Sequence, residues 1–479
     1  MDSVDEILTY QRDIEAEKAS LFKKMKFWDG KKKSKSQVTA RKARQMCGWI
    51  SKQIKELEAN EFVKWLKGDT FPTGHLNIVK DVLEVVYPKY KTIDHRVVPD
   101  KKFDFVLCEE FHKPRYYQDE MHEQGVNTGR GVFESAVGSG KSLILMRLLE
   151  HFGVKSLIVV PSKPLMNQLK KALIKHFGRR NVIVVDSKKL SASKMRKLKK
   201  IPIRLINIQS MASLNKKKAI EEYFGDIDAI FIDEIHHAGS KSYTDLLPAL
   251  EHVYYRFGFT GTFLRNDEKT LDMWGFLSNR LYNYPAFKAI EEGYLTPIEV
   301  IIHTLQGIGT KNYQREYKKN YCGGVELLSK IKEILTDYVK KNEQVLILVN
   351  RKDQAGKVIH EFLDELGFEN TYISGDDDKE TIDEALEAFN KKEIRILIGS
   401  TVIGEGIDIT SSDHLIMAQG GKSEIAIVQA TGRLVRLYEG KLKGILHDFR
   451  FVDTKYMEKH LKARKSIYKR VFAAKIIEK

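Results

Sequence analysis

Short runs of apolar residues, each followed by an amphipathic or basic stretch, recur through most of this 479-residue chain. They fall at 131–135 (GVFES), 156–160 (SLIVV), 181–185 (NVIVV), 204–208 (RLINI) and 229–233 (AIFID). The series resumes at 344–349 (QVLILV), 395–399 (RILIG), 414–418 (HLIMA) and 444–448 (GILHD). Runs that are apolar throughout, without alternation, suit strands buried on both faces of a parallel sheet, with the intervening stretches as crossover helices. Two α/β domains follow. The lysine-rich stretch 307–324 separates them, and the charged, helix-patterned first 67 residues, followed by a few β-rich pieces, form a further N-terminal region. The expected domains are 1–112, 113–306 and 307–479.

Lysine and arginine number 81 against 65 acidic residues, a formal net charge of +16. Such a balance points to a polyanionic partner, with nucleic acid ahead of an anionic membrane. No apolar run is long enough for a membrane helix, and the N-terminus carries acids where a signal peptide would be basic, so a cytoplasmic protein is expected. Cys47, Cys108 and Cys322 are widely spaced and odd in number, which excludes a disulfide framework and any Cys-x-x-Cys metal site.

The sharpest local signal is Ser135-Ala136-Val137-Gly138-Ser139-Gly140-Lys141-Ser142, lying between an apolar run and the helical pattern LILMRLLEHF. A small-residue turn there presents backbone N–H groups at a helix N-terminus, where they can cradle phosphate oxygens. Lys141 is placed to reach the β and γ phosphates and the Ser142 hydroxyl to ligate Mg²⁺. Ser135 stands where the general pattern has its first glycine, and in isolation such a segment could simply cap a helix. A second signal, Asp233-Glu234-Ile235-His236, ends an apolar run, where α/β sheets place ligands. Asp233 suits the Mg²⁺ shell, and Glu234 suits a base for the attacking water.

With both segments in place the chain resembles the superfamily 2 helicases and translocases. The resemblance implies two tandem RecA-like parallel-sheet domains, an α/β P-loop NTPase, preceded by a smaller α+β N-terminal domain. It implies that Arg115, Tyr116 and Gln118 meet the adenine, that Ala136–Ser142 hold the phosphates with Mg²⁺ on Ser142 and Asp233, and that Gly406 and Asp408 complete the nucleotide site. It places Pro161, Ser162, Lys163, Gln209, Ser210, Asn350, Arg351, Ser374, Ser400 and Thr401 on a nucleic-acid strand. His236, Thr260, Gly261 and Thr262 become the element that couples hydrolysis to movement.

Gln429, Arg433 and Arg436 resemble the segment that faces ATP from the second domain. Two arginines three apart share nearly one helix face, and a guanidinium fork suits dispersed phosphoryl charge. Within the superfamily, Glu292-Gly293-Tyr294-Leu295-Thr296-Pro297 and Lys26-Phe27-Trp28-Asp29-Gly30-Lys31 are most similar to phage UvsW-type branch-migration helicases, which are related to XPB-type translocases. That group often has Arg-Glu-Asp after Thr-Gly-Thr. This chain has Arg265-Asn266-Asp267, which puts a strand-separating role for that element in doubt.

Basic runs at Lys31, Lys32, Lys33, Lys35, Arg41, Lys42 and Arg44, at 188–200, and at Lys462, Arg464, Lys465, Lys469 and Arg470 are candidates to track a phosphate backbone. The function expected is an ATP- and Mg²⁺-dependent DNA helicase. It would remodel forks, D-loops and four-way junctions in phage recombination, replication and repair, as a monomer in the host cytoplasm beside single-strand-binding or recombination proteins. An RNA helicase and an ATP-switched DNA clamp are the alternatives.

Overall fold

The protein is represented by a computed structural model that describes residues 9–11, 62–64, 73–76, 79–80, 83–84, 91, 93–106, 113–185, 192–213, 217–237, 243, 247–261, 275–339, 341–350, 352–400, 409 and 412–479. The chain divides into two compact units, 1–96 with 264–279 and 97–263 with 280–479. In the first unit, β1 (Thr9–Gln11) pairs antiparallel with β2 (Phe62–Lys64), Tyr10 opposite Val63. Lys31–Lys33 and the Trp-Asp-Gly segment lie outside the described residues.

The second unit holds two seven-stranded sheets, parallel throughout. The first runs β5-β6-β4-β7-β8-β3-β9, with β3 Arg130–Ser135, β4 Ser156–Val160, β5 Val182–Val184, β6 Ile203–Asn207, β7 Ala229–Ile232, β8 Tyr255–Thr260 and β9 Arg280–Tyr284. The second runs β12-β13-β11-β14-β15-β10-β16, with β10 Ile298–Gln306, β11 Val345–Val349, β12 Thr371–Ile373, β13 Ile396–Gly399, β14 His414–Ala418, β15 Gly444–Val452 and β16 Lys475–Glu478. Every apolar run in the sequence became one of these strands. Central strands such as β4 and β6 are buried at every residue, as expected when helices cover both faces.

Two expected boundaries move. The strand Ile298–Gln306 precedes the lysine-rich stretch yet lies between β15 and β16, so the second domain begins before residue 298 and not at 307. The stretch taken for a separator contains helix Tyr313–Tyr321, whose Tyr317 and Tyr321 are buried in the second core. At the other end, the segment placed in the N-terminal domain reaches the first core. The N–H groups of Lys102 and Phe103 both donate to Gly153 O, and Phe105 joins the hydrophobic core there.

Helices relevant below are α1 (Tyr116–Thr128), α2 (Lys141–Phe152), α3 (Lys163–Phe177), α4 (Ala192–Lys200), α5 (Ala286–Glu291), α6 (Val325–Val339), α7 (Glu424–Leu434) and α8 (Lys455–Phe472). Phe133, Phe231 and Phe257 stack across β3, β8 and β7 with ring centroids 5.6–6.0 Å apart. Burying each contributes about 2–3 kcal/mol before ordering costs.

The second core buries polar groups in matched sets. Arg464 on α8, 1% exposed, donates to both Asp448 oxygens at 2.7 and 2.9 Å, to Gly421 O and to Tyr321, while Tyr468 also donates to Asp448. Three imidazoles span three neighbouring strands under α6. His303 Nε2 lies 2.9 Å from His447 Nδ1, His447 Nε2 lies 3.3 Å from His414 Nδ1, and His414 Nε2 lies 3.0 Å from Glu343.

Candidate active site

The phosphate loop leaves the C-terminal end of β3 and enters α2. Gly138 and Gly140 adopt φ of +84° and +89°, a region costly for any side chain with a β-carbon. Ser135, standing in for glycine, is buried, and its Oγ accepts from Ser139 Oγ at 2.9 Å, so the departure from the general pattern supplies a bond that closes the loop. Lys141 folds back onto the carbonyls of Ser135 and Ala136 at 3.2 and 3.3 Å. Ser142 is exposed on the first turn of α2.

Carboxylates and the segments expected to couple hydrolysis to movement meet this loop. Asp233 follows β7, its N–H donating to Val159 O and its Oδ1 accepting from Glu234 N–H. Burial, reinforced by the neighbouring Glu234 carboxylate and opposed by Lys141, pushes the Asp233 carboxyl upward. Glu234 sits at φ +48°, a strained position for a residue with a β-carbon. His236 Nδ1 lies 3.2 Å from Glu234 Oε2 and 3.1 Å from Thr260 Oγ1, so one imidazole touches both the acid and the end of β8. A β-carbon on Gly261 would lie 3.2 Å from Lys141 Nζ and 3.0 Å from Val137, which explains a glycine there.

The residues fit a divalent cation. A buried carboxyl held up by a second carboxylate is the donor a cation relieves, and among the described residues no cluster of three or more His, Cys, Asp or Glu forms a closed cage. Such an open donor set suits Mg²⁺, which is usually shared between a few protein oxygens and substrate phosphates. Ser142 and Asp233 would hold it; bound there it would neutralise charge on the phosphates.

The residues expected to meet the adenine are engaged with the phosphate loop and with one another. Gln118 is buried and both ends of its amide are engaged, Oε1 accepting from Arg115 N–H and Nε2 donating to Ser139 O, each at 2.9 Å. It braces the phosphate loop, with one N–H and one lone pair of the amide still to spare. Tyr117 donates to the same Ser139 carbonyl at 2.9 Å and stacks on Tyr284 with centroids 3.8 Å apart. Tyr116 is the exposed ring of the pair, at 42%, and its hydroxyl donates to Glu292, as does that of Tyr284. Tyr117 stands inside the segment that resembles the adenine-reading element, whereas the contacts that Tyr284 and Glu292 make with it emerge only once β9 is known to flank β3.

The second core approaches the same loop. A β-carbon on Gly432 in α7 would fall 2.8 Å from Val137, and one on Gly138 would lie 3.8 Å from Arg436 Cγ. Arg433 is buried and donates to Gln429 O at 2.8 Å. Burial pulls Arg436 down to about 10, which leaves it charged at neutral pH.

Among the candidate strand contacts, Ser162 caps α3, accepting from Leu165 N–H, with Lys163 exposed beside it. Gln209 and Asn350 are exposed; Pro161, Ser374 and Ser400 are buried, and Ser210 donates its N–H to Asn207. Arg351, Thr401, Gly406, Asp408 and Thr262 lie outside the described residues. The C-terminal basic run is corrected: Arg464 is committed to Asp448, Lys465 pairs with Glu478 and Arg470 with Glu424 at 2.8 Å, so internal partners absorb much of that charge.

Residues 111–265 match the family of type III restriction enzyme res subunits, and residues 326–438 match the helicase conserved C-terminal domain. The chain is 25% identical over 344 residues to the ATP-dependent DNA helicase uvsW of Enterobacteria phage T4, covering 69% of this chain and 66% of that protein. It is 22% identical over 402 residues to the DNA 3'-5' translocase XPB2 of Sulfurisphaera tokodaii, covering 74% and 86%. A fragment described as an HsdR subunit of a type I restriction enzyme from Vibrio vulnificus shares the fold, with a TM-score of 0.57 at 16% identity over 87% of this chain and 85% of that one. The chain spans 60% and 66% of the length of two viral relatives, the phage protein among them. The phosphate loop and the Asp-Glu-x-His strand end lie within the first matched region, and Arg433 on α7 and Arg436, which falls just past the helix and not on its face, lie within the second; the chain belongs to the superfamily 2 helicases.

Proposed function

We propose that this protein is an ATP-driven DNA translocase that remodels branched DNA (forks, displacement loops and four-way junctions) in viral recombination and repair. The observation that carries the proposal is the convergence of Lys141, Asp233, Glu234 and, from the other core, Arg436 on one phosphate loop. Water held by Glu234 attacks the γ-phosphorus and gives its proton to that carboxylate, while the bond to the β–γ bridging oxygen breaks and ADP leaves. Lys141 and the arginines offset the charge on the transferring group. His236, touching both Glu234 and Thr260, carries the change at the acid into β8.

DNA as the track is supported by the names of the phage and archaeal relatives and by the charge of the first core. Between residues 163 and 200 lie 13 lysines and arginines and a single acid, Asp186. Lys163, Lys170, Lys171, Arg179, Arg180, Arg196, Lys197, Lys199 and Lys200 are all exposed on α3, α4 and the turn after α3. Such a surface binds backbone phosphates with steep salt dependence.

The test is steady-state ATPase with matched single-stranded DNA, duplex, fork, four-way junction and RNA at two salt concentrations. Greater stimulation by forks and junctions than by linear duplex is expected. Equal stimulation by RNA and DNA overturns the DNA assignment, and no stimulation by any of them favours an ATP-switched clamp.

A further inference from the structure

Helix α7 ends where the arginines must be aimed. The last carbonyls of a helix lack intrahelical N–H partners, and without substitutes that end frays. Here the substitutes come from elsewhere in the chain. Lys441 Nζ donates to Leu434 O, the N–H of Thr296 donates to Val435 O at 2.7 Å, and the Thr296 hydroxyl donates to Arg436 O at 3.2 Å.

Thr296 is 1% exposed and lies in the segment that joins the two sheets, between α5 and β10. Its neighbours on both sides are engaged. Leu295 reaches the phosphate loop, since a β-carbon on Gly138 would lie 3.5 Å from Leu295 Cδ2, and Pro297 O accepts from Gly444 N–H, which opens β15. One residue therefore holds two successive carbonyls, those of Val435 and Arg436, while its neighbours fix it to the loop and to the second sheet.

We propose that Thr296 is a positioning residue for Arg436: by holding the backbone carbonyls of Val435 and Arg436, the two residues that follow α7, it keeps the arginine side chain over the phosphate loop. Loss of the hydroxyl leaves Arg436 O without that donor and lets the residue swing, while ATP still binds through Ala136–Ser142. The inference rests on reading Arg436 as an arginine that faces the transferring phosphate.

The test compares Thr296→Val, Thr296→Ser, Arg436→Ala and the double variant Thr296→Val with Arg436→Ala. Each is assayed as the full chain for kcat and KM with DNA at saturation, and for melting temperature. Thr296→Val is expected to lower kcat about tenfold, the change equivalent to one buried hydrogen bond, with KM within about twofold. Thr296→Ser should restore most of the rate, and the double variant should be no slower than Arg436→Ala alone.

Wild-type kcat in Thr296→Val beside a dead Arg436→Ala overturns the positioning role and leaves the arginine assignment standing. Wild-type turnover in Arg436→Ala overturns the arginine assignment itself. Multiplying losses in the double variant show that Thr296 acts through something else and also overturn the proposal. If Thr296→Val melts below the assay temperature, Thr296→Cys, with its weaker donor, is used instead: a kcat between those of Thr296→Ser and Arg436→Ala supports the role, and a wild-type kcat overturns it.

Discussion

Position by position, the two sheets run in the same order, β5-β6-β4-β7-β8-β3-β9 against β12-β13-β11-β14-β15-β10-β16, yet the turns leaving corresponding strands differ. β3 leaves into the phosphate loop. Its counterpart β10 leaves into Gly307, which lies so close to the Val452 carbonyl that a β-carbon would fall 2.4 Å from it. β7 ends in Asp233 and Glu234, whereas its counterpart β14 ends in Gln419-Gly420-Gly421, with Gln419 O accepting from Tyr317 and Gly421 O from Arg464. At this pair of strand ends one core carries two carboxylates, and the other carries backbone carbonyls that buried side chains of the same core occupy. A shared scaffold leaves chemistry to the turns.

The largest way to test that contrast is at Glu234. Glu234→Gln is expected to lower ATP turnover by about 10²–10⁴-fold, the usual worth of a general base, with DNA affinity within a few-fold of wild type. Lys141→Ala should do the same, and wild-type ATPase in either variant refutes the site assignment.

In the second core the comparable lesion is structural. Arg464→Met leaves the buried Asp448 carboxylate with only the Tyr468 hydroxyl and the Phe449 N–H donating to it and should destabilise the fold by about 3–5 kcal/mol, read as a lower urea midpoint. An unchanged midpoint would mean that water reaches Asp448.

Acid should separate the cores further. Burial lowers His303 to about 4, pulls His447 well down and lowers His414 despite Glu343. An unfolded chain takes up these protons near pH 6.5, before the folded one does. Stability from the imidazole row is therefore complete above about pH 6.5 and is lost as the pH falls toward 4. For His303 alone the loss is about 3 kcal/mol, since each pH unit separating the folded and unfolded titrations is worth about 1.36 kcal/mol. His303→Phe should flatten this part of the stability–pH curve; an identical slope would place the acid sensitivity elsewhere.

The smallest effect belongs to the basic flank of the first core. Replacing Lys197, Lys199 and Lys200 by alanine should reduce the slope of log affinity against log salt by up to about 3, roughly 1 for each phosphate that is no longer neutralised. An unchanged slope would show that these side chains face only solvent.

The apolar runs were legible as strands because parallel sheets bury both faces of each strand, and the phosphate loop and Asp-Glu-x-His were legible because their chemistry demands fixed spacing. β8 was hidden by Arg256, the second residue of the strand, whose guanidinium is buried against the Val253 and Glu251 carbonyls. β9 was hidden by its polar edge character, with Arg280 and Asn283 exposed. Arg464 was misread because a buried arginine and a solvated one look alike in a basic run. Only the fold reveals that Asp448 lies across from it. Thr296 and Glu292 stood in a segment similar to the family, but nothing local to that segment names Val435, Arg436 or the two tyrosine hydroxyls as its partners.

The imidazole row also has a direction. Glu343, as a carboxylate, only accepts, so His414 must carry its hydrogen on Nε2, which leaves Nδ1 to accept from His447 Nε2 and, in turn, His447 Nδ1 to accept from His303 Nε2. All three rings are thereby fixed as the same tautomer. Their dipoles align from one strand to the next, and nitrogen-15 spectra at neutral pH should show His303, His414 and His447 each protonated at Nε2 and not at Nδ1.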